Sequence, residues 1–506
     1  MDDQLHTEID KYVEQLREKL HQEADRWAET RMPGEMMEVE QELSEMENTF
    51  HTEMVGAVVE SIHRDQEFVS KCQGQAWEQG LRNVEWREVK VRTMGGDEMK
   101  IKTPYAAKRR KKRGRRRKVG KRGKGGSGDY PVLRRLGIVG RATPMILAEV
   151  TRQIADGPSE VEAQERLATR GIKLDTKTMR RYVRDFGNIA LWDRRTANLD
   201  VREKQSPGPL AGKIVGIGID GGRLRTRENK KGRRRAKTGR HGFEAHWKEP
   251  KLVTIYTIDE QGHKERRGEV IYDGTLHEAD AVFELLILHL KRLGADQAKK
   301  LIILGDGADW IWNRVEKLRQ ALGVEVERVV EILDWAHAIG KLTAPAEIGL
   351  MNQAQRKRWL KRMRKALKRG DVEQVIEALL ALDRQNDKED KIRKAVEYFQ
   401  EHRERMRYAH FKANGFPIGS GAVESAIRRI VNLRLKGAGI FWLPANAERL
   451  LCLRCRVKMG SWLTFVKSAL SRWATSMETS RAELALLFGK AWPTFWDCTR
   501  CPIDLA

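Results

Sequence analysis

The sequence lacks any long apolar segment and never approaches the roughly 20 consecutive apolar residues that a membrane-spanning helix needs. It is also poor in cysteine, with 5 among 506 residues, which argues against a disulfide framework and for a reducing compartment. Residues 1–10 are polar and acidic, without the basic and then apolar order of a secretion signal. These absences predict a cytoplasmic protein with no membrane partner.

Four of the cysteines form two C-x-x-C pairs, Cys452 with Cys455 and Cys498 with Cys501. This spacing is compatible with a four-thiolate zinc site. The first pair lies within an apolar helical stretch that has no turn residues to let thiolates converge, which favours buried, reduced cysteines instead. Both interpretations stay open at this point.

Positive charge is in large excess. The chain has 97 Lys and Arg against 72 Asp and Glu, a formal net charge of +25 and a pI near 9.8. Such a balance predicts a polyanionic partner, above all nucleic acid. Residues 1–70 are the exception, with 6 basic and 19 acidic side chains. One hypothesis for this acidic segment is that it competes with DNA for the basic remainder of the chain.

Residues 1–85 are predicted to be an acidic helical region. Apolar residues recur at helical spacing from Val13 to Trp27 and again after Pro33, which indicates a helical hairpin packed on its own chain or a coiled coil completed by a second subunit. Residues 86–130 are predicted to be a linker with a basic arm. The arm, 108–124, has 13 basic residues in 17, and is interpreted either as a solvated linker or localisation signal, or as a flexible arm on phosphates. Its expected DNA contacts are Arg109, Arg110, Arg116 and Arg117.

Residues 131–205 are predicted to form three helices resembling a helix-turn-helix domain. The third would begin at Asp175 or Thr176, either of which can cap it, with Met179, Val183 and Phe186 on one side. The other side carries four cations at helical spacing: Lys177, Arg180, Arg181 and Arg184. This is how a recognition helix meets a major groove, although many small helical domains share the pattern.

After residue 209 the pattern changes to strands. Strands are predicted at 214–220, 251–258, 269–273, 300–304 and 329–333, with helices at 278–293 and 310–322. Three strands, a helix, a strand, a helix and a strand is the order of the ribonuclease H-like fold. The predicted class is therefore α/β, with a mixed five-stranded sheet flanked by helices.

Three acids are candidates for catalysis. Asp220 ends the first strand before Gly221-Gly222, Asp306 follows the fourth strand, and Glu424 lies in a glycine-rich turn at the start of a helix. Strands one and four are central neighbours in this fold, so the two aspartates would meet, and two Mg²⁺ or Mn²⁺ ions about 3.5 to 4 Å apart would compensate the acids. The alternative is that each acid only caps a helix or turn. Asp273 and Asp309, which lie nearby, are interpreted as structural.

Four motifs resemble the Mutator-like superfamily of bacterial DDE transposases, and within it the ISKra-type insertion-sequence group: 218–221 (GIDG), 305–312 (GDGADWIW), 334–337 (DWAH) and 419–436, which ends in NLRLK. The resemblance covers about residues 130 to 465. It implies Asp220, Asp306 and Glu424 as the catalytic and metal-binding acids, with Asp334 and His337 as the Asp-x-x-His element. His337 would then orient a phosphate or metal-bound water, or else pack beneath the insertion. Asp334 in place of Asp306 as second acid is the alternative.

The resemblance also implies a catalytic core at 210–340 and 414–465, interrupted by a helical insertion at 341–413 and followed by a helical C-terminal region at 466–506. A basic insert, 223–240, with ten Lys or Arg in 18 residues, departs from the family pattern, as does the acidic N-terminal segment. The insert is expected to bind DNA or to be merely solvated. Further DNA contacts are expected at Arg233, Arg234, Arg428, Arg434 and Lys436.

The function expected from the sequence is DNA transposition, by metal-dependent cleavage and strand transfer between transposon ends and target DNA. A homodimer or higher oligomer on nucleoid DNA is the expected assembly. An inactive transposase that only binds DNA and a ribonuclease H-like resolvase that only cleaves are the alternatives. An actin-like sugar kinase also begins with a strand and an Asp-Gly-Gly turn, but needs phosphate loops and a second core that this sequence does not clearly offer.

Overall fold

A computed structural model of the chain describes residues 3–108, 128–196, 208–230, 232, 241–383 and 390–476. The chain divides into two compact units. The first comprises residues 1–194 and 461–506, and the second residues 195–460. Among the described residues, no helix combines the length and apolarity that crossing a membrane requires.

The first unit begins with helices and a small sheet. These elements are α1 (Asp3–Ala28), α2 (Pro33–Arg64), α3 (Gln66–Glu78), β1 (Leu81–Arg92), β2 (Glu98–Lys108) and β3 (Gly128–Asp129). Helices α1 and α2 form a hairpin in which the Trp27 indole N–H donates to Glu42 at 3.0 Å and Arg64 pairs with Glu8 at 3.1 Å. Helix α1 buries none of its residues, whereas the end of α2 packs Val59 against the β1–β2 hairpin.

The expected linker at 86–130 is wrong for residues 86–108, because β1 and β2 pair there as antiparallel strands. Their side chains alternate: Val89, Val91, Met99 and Ile101 are buried while the residues between them carry charge. This period of two is the pattern of a sheet with one covered face. The basic arm expected at 108–124 lies outside the described residues, apart from the Lys108 backbone.

The rest of the first unit is helical. Its elements are α4 (Pro131–Arg135), α5 (Pro144–Asp156), α6 (Glu160–Ala168) and α7 (Thr176–Thr196), joined late in the chain by α19 (Trp462–Thr475). Asp175 caps α7 by accepting from the Thr178 amide at 2.9 Å. Helix α19 packs on α5 and α7, because the Trp462 indole N–H donates to the Ala148 carbonyl at 3.1 Å and its ring lies 5.8 Å from that of Phe186. Residues 461–465, which the sequence analysis assigns to the expected core at 414–465, therefore belong with this unit instead.

The second unit is built on a mixed five-stranded sheet. Its strands are β4 (Ile214–Gly221), β7 (Lys251–Ile258), β8 (Ile271–Thr275), β9 (Lys300–Gly305) and β10 (Val329–Leu333), and a separate two-stranded ribbon is formed by β5 (Leu224–Asn229) and β6 (Phe243–Lys248). The sheet order is β10-β9-β4-β7-β8. Strands β9 and β10 run parallel to β4, whereas β7 is antiparallel to both of its neighbours. This is the topology of a ribonuclease H-like core.

Helices cover both faces of this sheet. They are α8 (Ala279–Arg292), α9 (Asp309–Trp312), α10 (Val315–Leu322), α11 (Trp335–Gly340), α12 (Thr343–Gly349), α13 (Gln353–Arg369), α14 (Val372–Leu380), α15 (Lys391–Glu401), α16 (Tyr408–Ala413), α17 (Gly421–Ala426), a π-helix (Ile427–Asn432) and α18 (Pro444–Lys458). Helices α8 and α10 share one core with the odd-numbered strand residues, such as Ile217 and Ile303. Helices α12 to α16, which lie in the expected insertion at 341–413, share another core with α11 and with Ile302 and Leu304 on the opposite face.

Two of the cysteines in the C-x-x-C pairs fall in α18, where Cys452 and Cys455 are each 1% exposed. Their burial inside an unbroken helix agrees with the interpretation as core residues. Cys498 and Cys501 lie outside the described residues, so the zinc alternative remains untested.

Candidate metal and catalytic site

The sheet places Asp220 and Asp306 side by side. Strands β4 and β9 are parallel neighbours in which Ile219 is the register partner of Gly305, so Asp220 and Asp306 occupy the next position on each strand. Neighbouring strands lie about 4.8 Å apart. Two carboxylates therefore meet at the carboxyl ends of the two central strands. The sequence predicted this juxtaposition from strand order alone.

Glycine lets α17 approach the same strand end. A Cβ at Gly218, two residues before Asp220, would lie 2.9 Å from Cβ of Val423 and 2.6 Å from Oγ1 of Thr254. A side chain at 218 would push α17 away from β4. The residue after Val423 is Glu424, whose Oε1 accepts from the Ser420 hydroxyl at 2.9 Å. The missing side chain at 218 thus positions the third predicted acid near the first two.

The charge environment of Asp220 shows that these groups interact. The pKa of Asp220 is raised to about 6, mainly by burial and also by the negative charges of Asp306 and Glu424. The hydrogen bond from the Gly221 amide and the charge of His337 act in the opposite direction. Neighbouring carboxylates that have little contact with water and accept few hydrogen bonds repel one another, and a bound cation offsets this repulsion. The four residues predicted as catalytic therefore form one electrostatic cluster.

Asp334 joins this cluster to the Ser420 turn through hydrogen bonds from His337 and Ser420. Asp334 is 1% exposed. Its Oδ1 accepts from the His337 amide at 2.7 Å and from the ring Nδ1–H at 2.9 Å, and its Oδ2 accepts from the Ser420 amide at 2.6 Å. Burial opposes the charge of Asp334, but the bonds from His337 and Ser420 prevail and hold its pKa at about 2. Hydrogen bonding to Asp334 raises the pKa of His337 above its usual value.

Metal-ligating atoms come together in a set that differs from the predicted one. One atom each from Asp334, His337 and Glu424 lie within 4.8 Å of one another. Glu424 belongs to the predicted metal set, whereas Asp334 and His337 are the Asp-x-x-His pair, and Asp220 and Asp306 are not in this close group. Both oxygens of Asp334 already accept hydrogen bonds from the protein. The metal-ligating atoms left for a cation are His337 Nε2 and the carboxylate oxygens of Glu424, Asp220 and Asp306. This set of ligands suits Mg²⁺ or Mn²⁺.

Tyr398 is a site residue that the sequence did not reveal. It lies on α15 in the insertion, and a Cβ at Gly307 would be 2.0 Å from its ring, so only glycine fits beside Asp306. Its hydroxyl is buried and has no hydrogen-bond partner among the described residues. Burial raises the pKa of Tyr398, and the charges of Asp306 and Asp334 raise it further. Gly307 is the signal that the sequence offers for this contact, because a glycine directly after Asp306 lets a side chain from another element approach the backbone closely.

The predicted recognition helix, α7, uses several of its cations internally. Arg180 pairs with Glu160 at 2.6 Å and Arg184 with Asp185 at 2.9 Å, and the Arg181 guanidinium lies 5.5 Å from the Tyr182 ring. Lys177 is exposed at the first turn. DNA reading by this helix stays a prediction, with fewer uncommitted charges than the periodicity indicated.

The other predicted DNA contacts divide into three groups. Arg428 and Lys436 are exposed. Arg434 is 5% exposed and its guanidinium lies 5.3 Å from the Trp442 ring, so it packs inside the protein and the expectation of a surface contact is wrong. The remaining six lie outside the described residues: Arg109, Arg110, Arg116, Arg117, Arg233 and Arg234.

No protein-family profile matches the chain, and no curated protein sequence matches it. Among solved structures, the Drosophila P element transposase strand transfer complex is similar at 12% sequence identity and a TM-score of 0.23, over 66% of this chain and 84% of that one. A similarity this distant carries no argument about function.

Proposed function

We propose that the chain is a divalent-metal-dependent transposase that cleaves DNA phosphodiesters and joins the resulting 3′-hydroxyl ends to target DNA. The observation that carries the proposal is the adjacency of Asp220 and Asp306 at the ends of β4 and β9, where Asp306 and Glu424 both raise the pKa of Asp220. The interaction of these acids at one end of the sheet supports the catalytic role that the resemblance to Mutator-like enzymes implies for them.

The donor set supports a cation-binding role. Asp220, Asp306 and Glu424 would hold Mg²⁺ or Mn²⁺, with His337 within reach of the same ion or of a substrate phosphate. A pair of ions bound there stabilises charge on the attacking and leaving oxygens of an in-line displacement. We assign Asp334 to orientation, because its hydrogen bonds hold both the His337 ring and the Ser420 turn.

The finer assignment is to the ISKra-type group of Mutator-like transposases. Its support is that all four motifs of the resemblance contribute to one end of the sheet. Residues 218–221 end β4, residues 305–312 begin at the last residue of β9, and residues 334–337 follow β10. Residues 419–436 include Ser420, whose amide donates to Asp334. Transposon ends and target DNA are the proposed partners, and a homodimer or higher oligomer is the proposed assembly.

The test is a cleavage and joining assay with purified full-length protein, a labelled fragment of the DNA that flanks its gene, an unrelated plasmid, and Mg²⁺ or Mn²⁺. Nicked flanks and plasmid-joined products are expected from the native protein. Asp306→Asn should abolish both products while leaving DNA binding in EDTA intact. Asp309→Asn is the matched control, because Asp309 is an exposed aspartate only three residues away.

Other outcomes separate the alternatives. Cleavage without joining would identify a resolvase-like nuclease. DNA binding without nicked or joined products, with Mg²⁺ and with Mn²⁺, would identify a non-catalytic DNA-binding protein. Equal activity of Asp306→Asn and the native protein would remove Asp306 from the site.

A further inference from the structure

Beside the acid cluster, the second unit has a cavity of about 540 Å³ with a strongly basic wall. The wall is one face of α13, and its five cations recur at positions i, i+4, i+7, i+8 and i+11: Lys357, Lys361, Arg364, Lys365 and Lys368. At 100° per residue these positions share one side of a helix. The cavity thus has a row of positive charge along its length.

These charges are not used by the protein. All five side chains are exposed, and none makes an ion pair or hydrogen bond with any described residue. Helix α13 has no acidic residue of its own. The opposite side of α13 buries Trp359, Met363 and Leu367 in the core of the insertion, which fixes the cationic face toward the cavity. Five uncompensated cations held in a row favour a ligand with several negative charges.

The remaining lining is apolar and lies next to the acids. Leu360 and Trp335 complete the cavity. The Trp335 ring is half-buried and packs edge-on against Tyr408 with centroids 5.0 Å apart, and its amide donates to Ile418 at 2.9 Å. Trp335 directly follows Asp334 in the chain, so its Cα lies about 3.8 Å from that of the aspartate. An aromatic ring held by Tyr408 thus forms part of the cavity lining, on the residue next to Asp334.

We propose that this cavity binds a single strand of nucleic acid, with phosphates along α13 and one base against Trp335. The inference rests on the proposed function, because it supplies the path by which a strand reaches Asp306 and its neighbours. A basic groove combined with an aromatic platform is the arrangement that binds unpaired nucleotides. The cavity has the volume of a small-ligand site, which suits the nucleotides of an unpaired strand.

The test measures binding in EDTA, where no cleavage occurs, with a fluorescent 20-nucleotide oligothymidylate, full-length protein and anisotropy as the readout. The variant Lys361→Gln/Arg364→Gln/Lys365→Gln removes three cavity charges. Its matched control, Arg358→Gln/Arg362→Gln/Arg369→Gln, removes three exposed charges of α13 that do not line the cavity. The cavity variant should lose at least about tenfold in affinity, and its log–log salt slope should fall by about 2, since each phosphate contact on a single strand contributes about 0.7. The control should lose less than about threefold.

A second comparison tests the aromatic platform. Native protein should prefer oligothymidylate over an abasic strand of equal length by roughly 5- to 100-fold, the range for one stacked base. Trp335→Leu should lose that preference and keep the salt slope. Thermal unfolding of each variant checks that it folds.

Equal losses in the two triple variants would overturn the proposal, because charge alone would then explain binding. Tighter binding of the matching duplex, with the same dependence on the cavity charges, would also overturn it. These results are independent of catalysis. A protein that binds as expected but yields no product with Mg²⁺ or Mn²⁺ would refute only the proposed function, and one that cleaves without using the cavity would refute only this inference.

Discussion

Asp220 and Asp334 stand at the ends of strands in one sheet, and their surroundings differ. Asp334 accepts three hydrogen bonds from His337 and Ser420, and its pKa is held at about 2. Asp220 accepts one from Gly221 and faces other acids, and its pKa is raised to about 6. A position at the end of a strand therefore does not by itself define the role of a carboxylate. The protein itself stabilises the charge of Asp334, whereas burial and the neighbouring acids disfavour the charge of Asp220.

The largest expected effect in this comparison is that of Asp334→Ala. It should lower the free energy of unfolding by about 3 to 5 kcal/mol, because the Ser420 and His337 donors lose a buried charged acceptor. Urea unfolding in EDTA measures this, with Asp309→Ala as an exposed control. A loss no greater than that of the control would show that Asp334 does not hold the turn.

Added metal should act through the other aspartates. Mg²⁺ or Mn²⁺ at a hundredfold excess over its dissociation constant should raise the unfolding free energy by about 2.7 kcal/mol. The increase should vanish in Asp306→Asn and persist in Asp309→Asn, as followed by thermal unfolding. The same increase in both variants would place the ion elsewhere.

Asp220→Asn should stabilise the metal-free protein at pH 7 by about 1 to 3 kcal/mol, since one pKa unit corresponds to 1.36 kcal/mol. The folded pKa of Asp220 lies above its unfolded value, so its contribution to stability is present below about pH 4 and is lost as pH rises through about 6. The difference between variant and native protein should therefore shrink as pH falls from 7 to 4 in EDTA. A difference that does not change with pH would contradict the assignment. The pH dependence of stability that Asp334 contributes has the opposite sign, because this stabilisation is lost only as pH falls below about 4 toward 2.

The smallest expected effect is that of Tyr398→Phe. The hydroxyl has no hydrogen-bond partner among the described residues, so its removal should change the unfolding free energy by less than about 1 kcal/mol, in the stabilising direction. Thermal unfolding measures the change. A clear destabilisation would show that the hydroxyl is bonded in solution and contributes to the acid cluster.

The sequence predicted the core well because local patterns determine it. Strands β7 and β10 are short apolar runs bounded by polar or turn residues, and strand order then implies that β4 and β9 are neighbours. From that adjacency the meeting of Asp220 and Asp306 follows. Glu424 was identified through the glycines before it, and the structure adds that Gly218 on the facing strand is what admits its helix.

Contacts between distant segments were not predictable in the same way. Tyr398 reaches Gly307 from an insertion whose packing no local period describes. The burial of Arg434 depends on Trp442, and the pairing of Arg180 with Glu160 joins two helices. Charge periodicity reveals which face a cation lies on but not whether an acid from another element neutralises it. The alternating valines and the Gly95-Gly96 turn of the β1–β2 hairpin are strand signals. The prediction of a linker at 86–130 instead follows the composition of the neighbouring basic arm.

The position of α19 has a consequence for how the chain is made. Trp462 bonds Ala148 across 314 residues, so the helices at 144–196 emerge from the ribosome long before the helix that covers them. At about 5 to 20 residues per second, that interval lasts roughly 15 to 60 s. During this time the ring of Phe186 has no Trp462 to pack against, and the first unit cannot complete its core until the second has been synthesised. Nascent chains that stall between residues 196 and 461 should therefore be the ones that require chaperone protection.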